Sequence, residues 1–426
     1  MSIKDWKTET ICIQGGYTPK SGEPRILPII QSTTYKYEDP DTVANLFDLK
    51  EEGHIYTRIS NPTLAAFEEK IAQLEGGVGA VAVSSGQSAI TLAVLNLCNA
   101  GDHVLASSNL YGGTFNLLSS TLTKLGIETT FVSPDLSEEE ILKFAKENTK
   151  VVLAETIANP AVNILDFDKF SSISKKIGVP LIIDNSLVTP YLCKPFEHGA
   201  NIVVHSATKY IDGHATSVGG VIVDGGNFNW ENGNFPCLVD KDPTYHGLSY
   251  TEEFKNLAYI TKLRVTLLRD LGACLSPFNA FLFNLGLETL HLRMRKHSDN
   301  ALKLAEFLEK HDKVDWVRYP LLKNDKEYEK ANKYLKNGAS GMLTFGIKGG
   351  IEQAKQFTKN LQLASLVVHI GDARTSVLHP SSTTHRQLSL EEQIASGVTE
   401  DLVRVSVGIE DSDDIINDFD QALSKI

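Results

Sequence analysis

The sequence predicts an α/β protein, with a mainly parallel sheet covered by helices and a smaller α+β unit after it. Three observations carry this expectation. Short apolar runs recur at residues 80–83, 103–106, 151–154, 180–183, 202–204 and 220–223. Strands this apolar are buried on both faces, as in parallel sheets sandwiched between helices. Amphipathic stretches, such as 138–147 and 167–177, lie between them and supply crossover helices. Finally, the chain has 426 residues, more than one hydrophobic core sustains.

Taken in order, residues 1–63 read as an irregular N-terminal arm, with turn signals at Gly15-Gly16, Pro19, Gly22, Pro24 and Asn61-Pro62. A helix follows, with apolar positions Leu64, Phe67, Ile71 and Leu74, and Gly76-Gly77 stops it. Residues 64–276 form the large domain, where strands alternate with helices, one of them at 88–97. The texture changes near Pro277. A long helical pattern continues through 301–310, strands are expected at 342–347 and 402–407, and a closing helix at 415–423. Residues 277–426 are therefore expected to form the second domain.

Composition narrows the function. The formal net charge of -12 repels a phosphate backbone and no long basic run offsets it, so nucleic acid is not an expected partner. The five cysteines are scattered and form no C-x-x-C, which argues against a disulfide framework or structural zinc and fits a reducing compartment. Neither a membrane-length apolar run nor an apolar signal region at the start is present. The expected location is the cytoplasm. The twelve histidines contain no H-E-x-x-H, and His379 with His385 makes only a weak pair for a metal.

In open parallel sheets, ligands gather beyond the carboxyl ends of the strands. Ser84-Ser85-Gly86-Gln87 follows 80–83 and opens a helix. Alone it reads as an N-cap or as an anion cup, where free N–H groups and the helix dipole meet a phosphate. Glu155 through Pro160 follows 151–154, and Asp184-Asn185-Ser186 follows 180–183. A carboxylate behind four apolar residues needs a partner. For Asp184 that partner is a helix end, a structural cation or a protonated heterocyclic nitrogen. Ser206-Ala207-Thr208-Lys209 follows 202–204. A lone lysine is ordinarily solvated, but one held in a partly dry place has a lowered pKa and forms Schiff bases. Together, an imine-forming lysine, an anion cup and a buried carboxylate are what pyridoxal phosphate requires.

The run from Ser206 to His214 closely resembles the cofactor-lysine motif of the Cys/Met-metabolism pyridoxal-phosphate enzymes. The resemblance extends over nearly the whole chain through Tyr56-Thr57-Arg58, Ser84-Ser85-Gly86-Gln87, Tyr111-Gly112-Gly113-Thr114, Asn159-Pro160, Asp184-Asn185 and 404–410. It implies the aspartate-aminotransferase-like (type I) fold and a homotetramer built from dimers. It further implies that Lys209 holds the cofactor and shuttles protons, that Asp184 pairs with the pyridinium nitrogen, and that Tyr111 stacks on the ring. Gly86, Gln87, Ser206 and Thr208 would hold the phosphate, joined by Tyr56 and Arg58 from a neighbouring subunit. Asn159 would lie near the phenolic oxygen, and Arg404 would clamp the substrate carboxylate, a task suited to its planar fork.

Within that family the chain resembles the O-acetylhomoserine sulfhydrylase branch, through 219–247, 256–259, 269–272 and 371–374. The implied reaction is γ-replacement of acetate by sulfide or another thiol. His369 in place of Asn, Asp212-Gly213-His214-Ala215 in place of Gly-Gly-His-Gly, and Ser186-Leu187 in place of Thr-Phe depart from the branch. Cystathionine γ-synthase and methionine γ-lyase chemistry are the alternatives within the family. From another class, Ser206-x-x-Lys209 and Ser298-Asp299-Asn300 match parts of a serine-hydrolase set, but K-T-G is absent. A nicotinamide site would need a G-x-G-x-x-G that 84–89 does not supply.

Overall fold

The computed structural model describes residues 6–384, 386, 391 and 397–426. The expectations for the first five residues and for His385 lie outside these. Seven strands make the larger sheet: β1 (Gly79–Val83), β2 (His103–Ser107), β3 (Glu128–Val132), β4 (Thr149–Glu155), β5 (Leu181–Asp184), β6 (Ile202–Ser206) and β7 (Gly220–Asp224). Their spatial order is β1-β7-β6-β5-β4-β2-β3. β7 runs antiparallel to both of its neighbours, while the pairs β2/β3, β2/β4, β4/β5 and β5/β6 are parallel. Val, Ile, Leu and Ala fill β1, β4, β5, β6 and β7, and these side chains are almost wholly buried. Branched side chains favour the pleat, and burial on both faces explains why the runs do not alternate with polar residues.

Local chemistry sets the helix ends. In the Pro62–Glu75 helix, the Asn61 side chain accepts the Thr63 N–H, Pro62 opens the first turn, and Gly76 closes it at φ 82°. The Phe167–Ile177 helix is capped by Asp166, and Gly178 ends it in the left-handed region. Ser85 caps the Gly86–Leu95 helix by accepting the Ser88 N–H, so the cap expected at Ser84-Ser85-Gly86 exists.

The second sheet has the order β10-β11-β12-β9-β8, from β8 (Val314–Arg318), β9 (Met342–Ile347), β10 (Ser365–Leu366), β11 (Ser376–Leu378) and β12 (Leu402–Ser406). Phe345 of β9, Phe357 of the Ile351–Asn360 helix and Phe419 of the Ser412–Leu423 helix pack together beneath it.

Two expectations need correction. The stretch 1–63 is not irregular throughout: it holds the helices Thr8–Gln14 and Pro40–Phe47, the second capped by Asp39. Both are shorter than three turns, too short for periodicity to show. The helix expected over 138–147 stops at Leu142, before the apolar pattern runs out. Among the described residues, no helix is long and apolar enough to cross a membrane.

Candidate active site

The carboxyl ends of β1, β4, β5 and β6 deliver their residues to one rim of the large sheet. Because β7 is reversed, its first residue, Gly220, lies on that rim too, opposite Ser206 in register. Gly220 touches the Ser85 backbone so closely that a Cβ there would stand 2.1 Å from the Ser85 carbonyl oxygen. A Cβ on Gly86 would stand 2.6 Å from Ser206 Cβ. The start of the Gly86–Leu95 helix is thus seated directly on the end of β6, bringing Gly86 and Ser206 together. Thr208 exchanges hydrogen bonds with Gly219: its hydroxyl donates to the carbonyl at 3.2 Å and accepts the N–H at 3.0 Å. Gln87 Nε2 reaches Thr114 Oγ1 at 3.5 Å, beside the short Gly112–Asn116 helix that Tyr111 precedes.

Ser186 links two strand ends. Its Oγ donates to Asp184 Oδ1 at 2.5 Å, its N–H donates to the same oxygen at 2.9 Å, and its Oγ accepts the Ser206 N–H at 2.6 Å. Burial nonetheless holds the Asp184 carboxyl above the usual carboxylate range, against the pull of Ser186 and His205. On β4, Glu155 is the register partner of Asp184. Its Oε1 accepts the Tyr111 backbone N–H at 2.7 Å.

Lys209 follows β6 in a turn closed by its N–H on the Ser206 carbonyl. Its neighbour Tyr210 is wholly buried, with its hydroxyl accepting the Gly341 N–H at 3.1 Å and its carbonyl accepting Arg293 Nη1 at 2.8 Å. The lysine is thereby held between the two sheets. From β12 of the second sheet, Arg404 donates to Asn159 Oδ1 and to the Val368 carbonyl, both at 3.3 Å. Burial, reinforced by Arg404, lowers the Lys209 ammonium to about 8. Burial lowers Arg404 to about 10. Neither cation forms an ion pair among the described residues. His369 lies near both, and its buried Nε2 has no hydrogen-bond partner.

Two cations without an ion pair among the described residues, the half-buried Lys209 and the buried Arg404, a helix start pressed onto β6 and a desolvated carboxylate are donors and acceptors suited to a ligand with an anionic group and a cationic ring. These residues fit pyridoxal phosphate. Lys209, Asp184, Gly86, Gln87, Ser206, Thr208, Tyr111, Asn159 and Arg404 all belong to the strand ends and loops around this rim. Tyr56 and Arg58 do not join them within one chain. Arg58 stacks over the Tyr56 ring and donates to the Arg269 carbonyl. The serine-hydrolase set is not assembled: Asn300 is spent on the Gly408 and Glu410 carbonyls, and a Cβ on Gly338 would stand 2.4 Å from the Ser298 hydroxyl.

Residues 9–424 match the family described as Cys/Met metabolism PLP-dependent enzymes. The chain belongs to that family. It is 50% identical to an O-acetyl-L-homoserine sulfhydrylase of Leptospira meyeri, over 99% of this chain and 98% of that one. It is 47% identical to a homocysteine synthase of Schizosaccharomyces pombe, over 99% of each. Among solved structures it superposes on a Campylobacter jejuni chain carrying N'-pyridoxyl-lysine-5'-monophosphate, with a TM-score of 0.95 and 38% identity over 98% of this chain and 100% of that one. Structures of this kind establish the type I PLP fold expected from the sequence, and PLP is the cofactor of the family.

Glu155 and Ser186 are the residues of the rim to which sequence reasoning gave no task. Both were visible as polar residues ending or following an apolar run, but their partners are backbone N–H groups and a neighbouring strand, which leave no motif.

Proposed function

We propose that this chain is an O-acetyl-L-homoserine sulfhydrylase, replacing acetate by sulfide at the γ-carbon to give homocysteine. The observation that carries the reading is the presence on one rim of two cations without an ion pair among the described residues, the half-buried Lys209 and the buried Arg404. One suits an aldehyde-bearing cofactor and the other an amino-acid carboxylate. The choice of acyl donor and of sulfide is supported by relatives with that name at 43–50% identity.

When bound, PLP supplies an electron sink that lets protons leave carbon near the substrate amino group. The chain's own residues do the rest. Lys209 would hold the cofactor and would take the α-proton at Nζ. An amine brought down to about 8 is partly neutral near physiological pH and so able to act as a base. Arg404 holds the substrate carboxylate through its fork and, with Asn159, orients the chain for acetate departure. Asp184 would keep the ring nitrogen protonated, Tyr111 would cover the ring, and Gly86, Gln87, Ser206 and Thr208 would anchor the phosphate. Tyr56 and Arg58 complete that anchor from a second copy, so the working unit is a dimer with shared sites, assembled as a homotetramer in the cytoplasm.

The deciding assay offers O-acetylhomoserine with sulfide, methanethiol, cysteine or no thiol in parallel. Sulfide is expected to give the highest kcat/KM. A much larger value with cysteine would make the enzyme a cystathionine γ-synthase. Cleavage of methionine with acyl-homoserine ignored would make it a γ-lyase.

A further inference from the structure

Glu155 is a buried carboxylate that the reaction above leaves without a task. It ends β4 as the register partner of Asp184 at the end of β5. Register partners lie about 5 Å apart and point to the same face of the sheet, so the two carboxyl groups are neighbours. Glu155 accepts the Tyr111 backbone N–H at 2.7 Å. Its side chain therefore ties down the loop that bears the residue assigned above to the ring face.

Two like charges at this spacing in a dry site cannot both be carried. Burial and the Asp184 charge hold the proton on Glu155 well above the carboxylate range. The groups bonded to the pair are the Tyr111 N–H on Glu155 and the Ser186 hydroxyl and N–H on Asp184, and the charge of His205, itself bonded to Glu75, acts on Asp184 from β6. A protonated Glu155 has one oxygen committed as a donor. An ionised one accepts on both oxygens, with charge-assisted bonds roughly twice as strong as neutral ones.

We propose that Glu155 couples the two sides of the cofactor site: a ring cation paired with Asp184 lets Glu155 release its proton to solvent, and the ionised carboxylate tightens its hold on the Tyr111 amide. This rests on the assignment of Asp184 to the ring nitrogen. Loading of the cofactor then firms the loop that covers it, through a backbone bond rather than through contact with the ring alone.

The test is hydrogen exchange at the Tyr111 amide in the apo protein, with PLP, and with 1-deaza-PLP, which carries CH in place of the ring nitrogen. Both ligands bring the same bulk and the same phosphate, and only PLP brings a ring cation. Exchange is expected to slow about tenfold more with PLP than with the deaza compound. The difference should vanish in Glu155→Gln, which keeps the volume but cannot ionise. If that variant does not fold, Glu155→Asp replaces it: it keeps the charge but lacks a methylene of reach, and must lose the difference as well. Equal slowing by both ligands in the wild type, or a difference that survives in the variant, overturns the coupling. No substrate is present, so an error in the acyl donor leaves the result intact. Failure of either ligand to bind overturns the assignment of the site, and the coupling with it.

Discussion

Burial lowers the Lys209 ammonium well below the range of a surface lysine, and this has a measurable cost in the apo protein. Its native value of about 8 lies below the ordinary 10.5. Between these pH values the unfolded chain holds a proton that the native chain lacks. The contribution of this group to stability therefore rises with pH across that window and is lost as pH falls to about 8. The melting temperature of the apo protein should climb less, or fall more, between pH 8 and 10 in Lys209→Met than in the wild type. Identical pH slopes would show that Lys209 is solvated. At this scale, Asp184 was legible because it follows an apolar run directly, and Lys209 because it stands just past a buried strand among small polar residues, where a charge is anomalous. Arg404 was legible only through family resemblance, since an arginine inside 402–407 carries no sign of what it faces. Glu155 follows an apolar run just as Asp184 does, yet its hydrogen-bond partner is the amide of Tyr111, which no spacing rule reveals.

Among the elements, the joint between the Gly86–Leu95 helix and β6 is a tight part of the rim. A Cβ at position 86 would meet Ser206 Cβ at 2.6 Å and Ser206 Cα at 2.9 Å. The Cα belongs to a strand paired on both sides, so the helix start must move instead. Overpacking of this kind costs about 1–3 kcal/mol, and if the cup bears it, cofactor affinity falls roughly ten- to a hundredfold in Gly86→Ala. Titration of the apo variant with PLP, followed by visible absorbance, measures this; unchanged affinity would mean that the phosphate does not use this helix start. The strands of the large sheet were readable from their apolar runs, with β3 the exception. Glu128, Thr129 and Thr130 make it a partly exposed edge strand, and an edge has no need of a continuous apolar run. β8 was hidden for a similar reason: its Val-Asp-Trp-Val-Arg sequence is only partly buried at the edge of the second sheet. The reversal of β7 could not be read at all, because direction leaves no mark on composition.

For the whole molecule, the open question is where Tyr56 and Arg58 act. Within one chain Arg58 leans on Tyr56 and Arg269, while Tyr56 keeps more than a third of its surface exposed. Leu271, Phe278, Leu292 and Val368 are also exposed. Mixing Arg58→Ala subunits with Lys209→Ala subunits, each nearly inactive alone, should restore activity, since one site in each mixed pair is intact. No recovery from verified mixed dimers would mean that each chain's site is self-contained. The two-domain expectation came from length and from the change of texture near Pro277, whereas the meeting of both sheets around Lys209 was beyond reach, since it depends on contacts such as Tyr210 with Gly341. The reversed strand has one more consequence. Because β6 and β7 are adjacent and antiparallel, the segment 207–219 leaves the sheet and returns to it at the single pair Ser206 and Gly220. The segment that bears Lys209 thus enters and leaves the sheet through one doorway, and because Tyr210 within it is pinned to Gly341 and Arg293, anyone who rewrites that segment must rewrite its partners in the second half of the chain along with it.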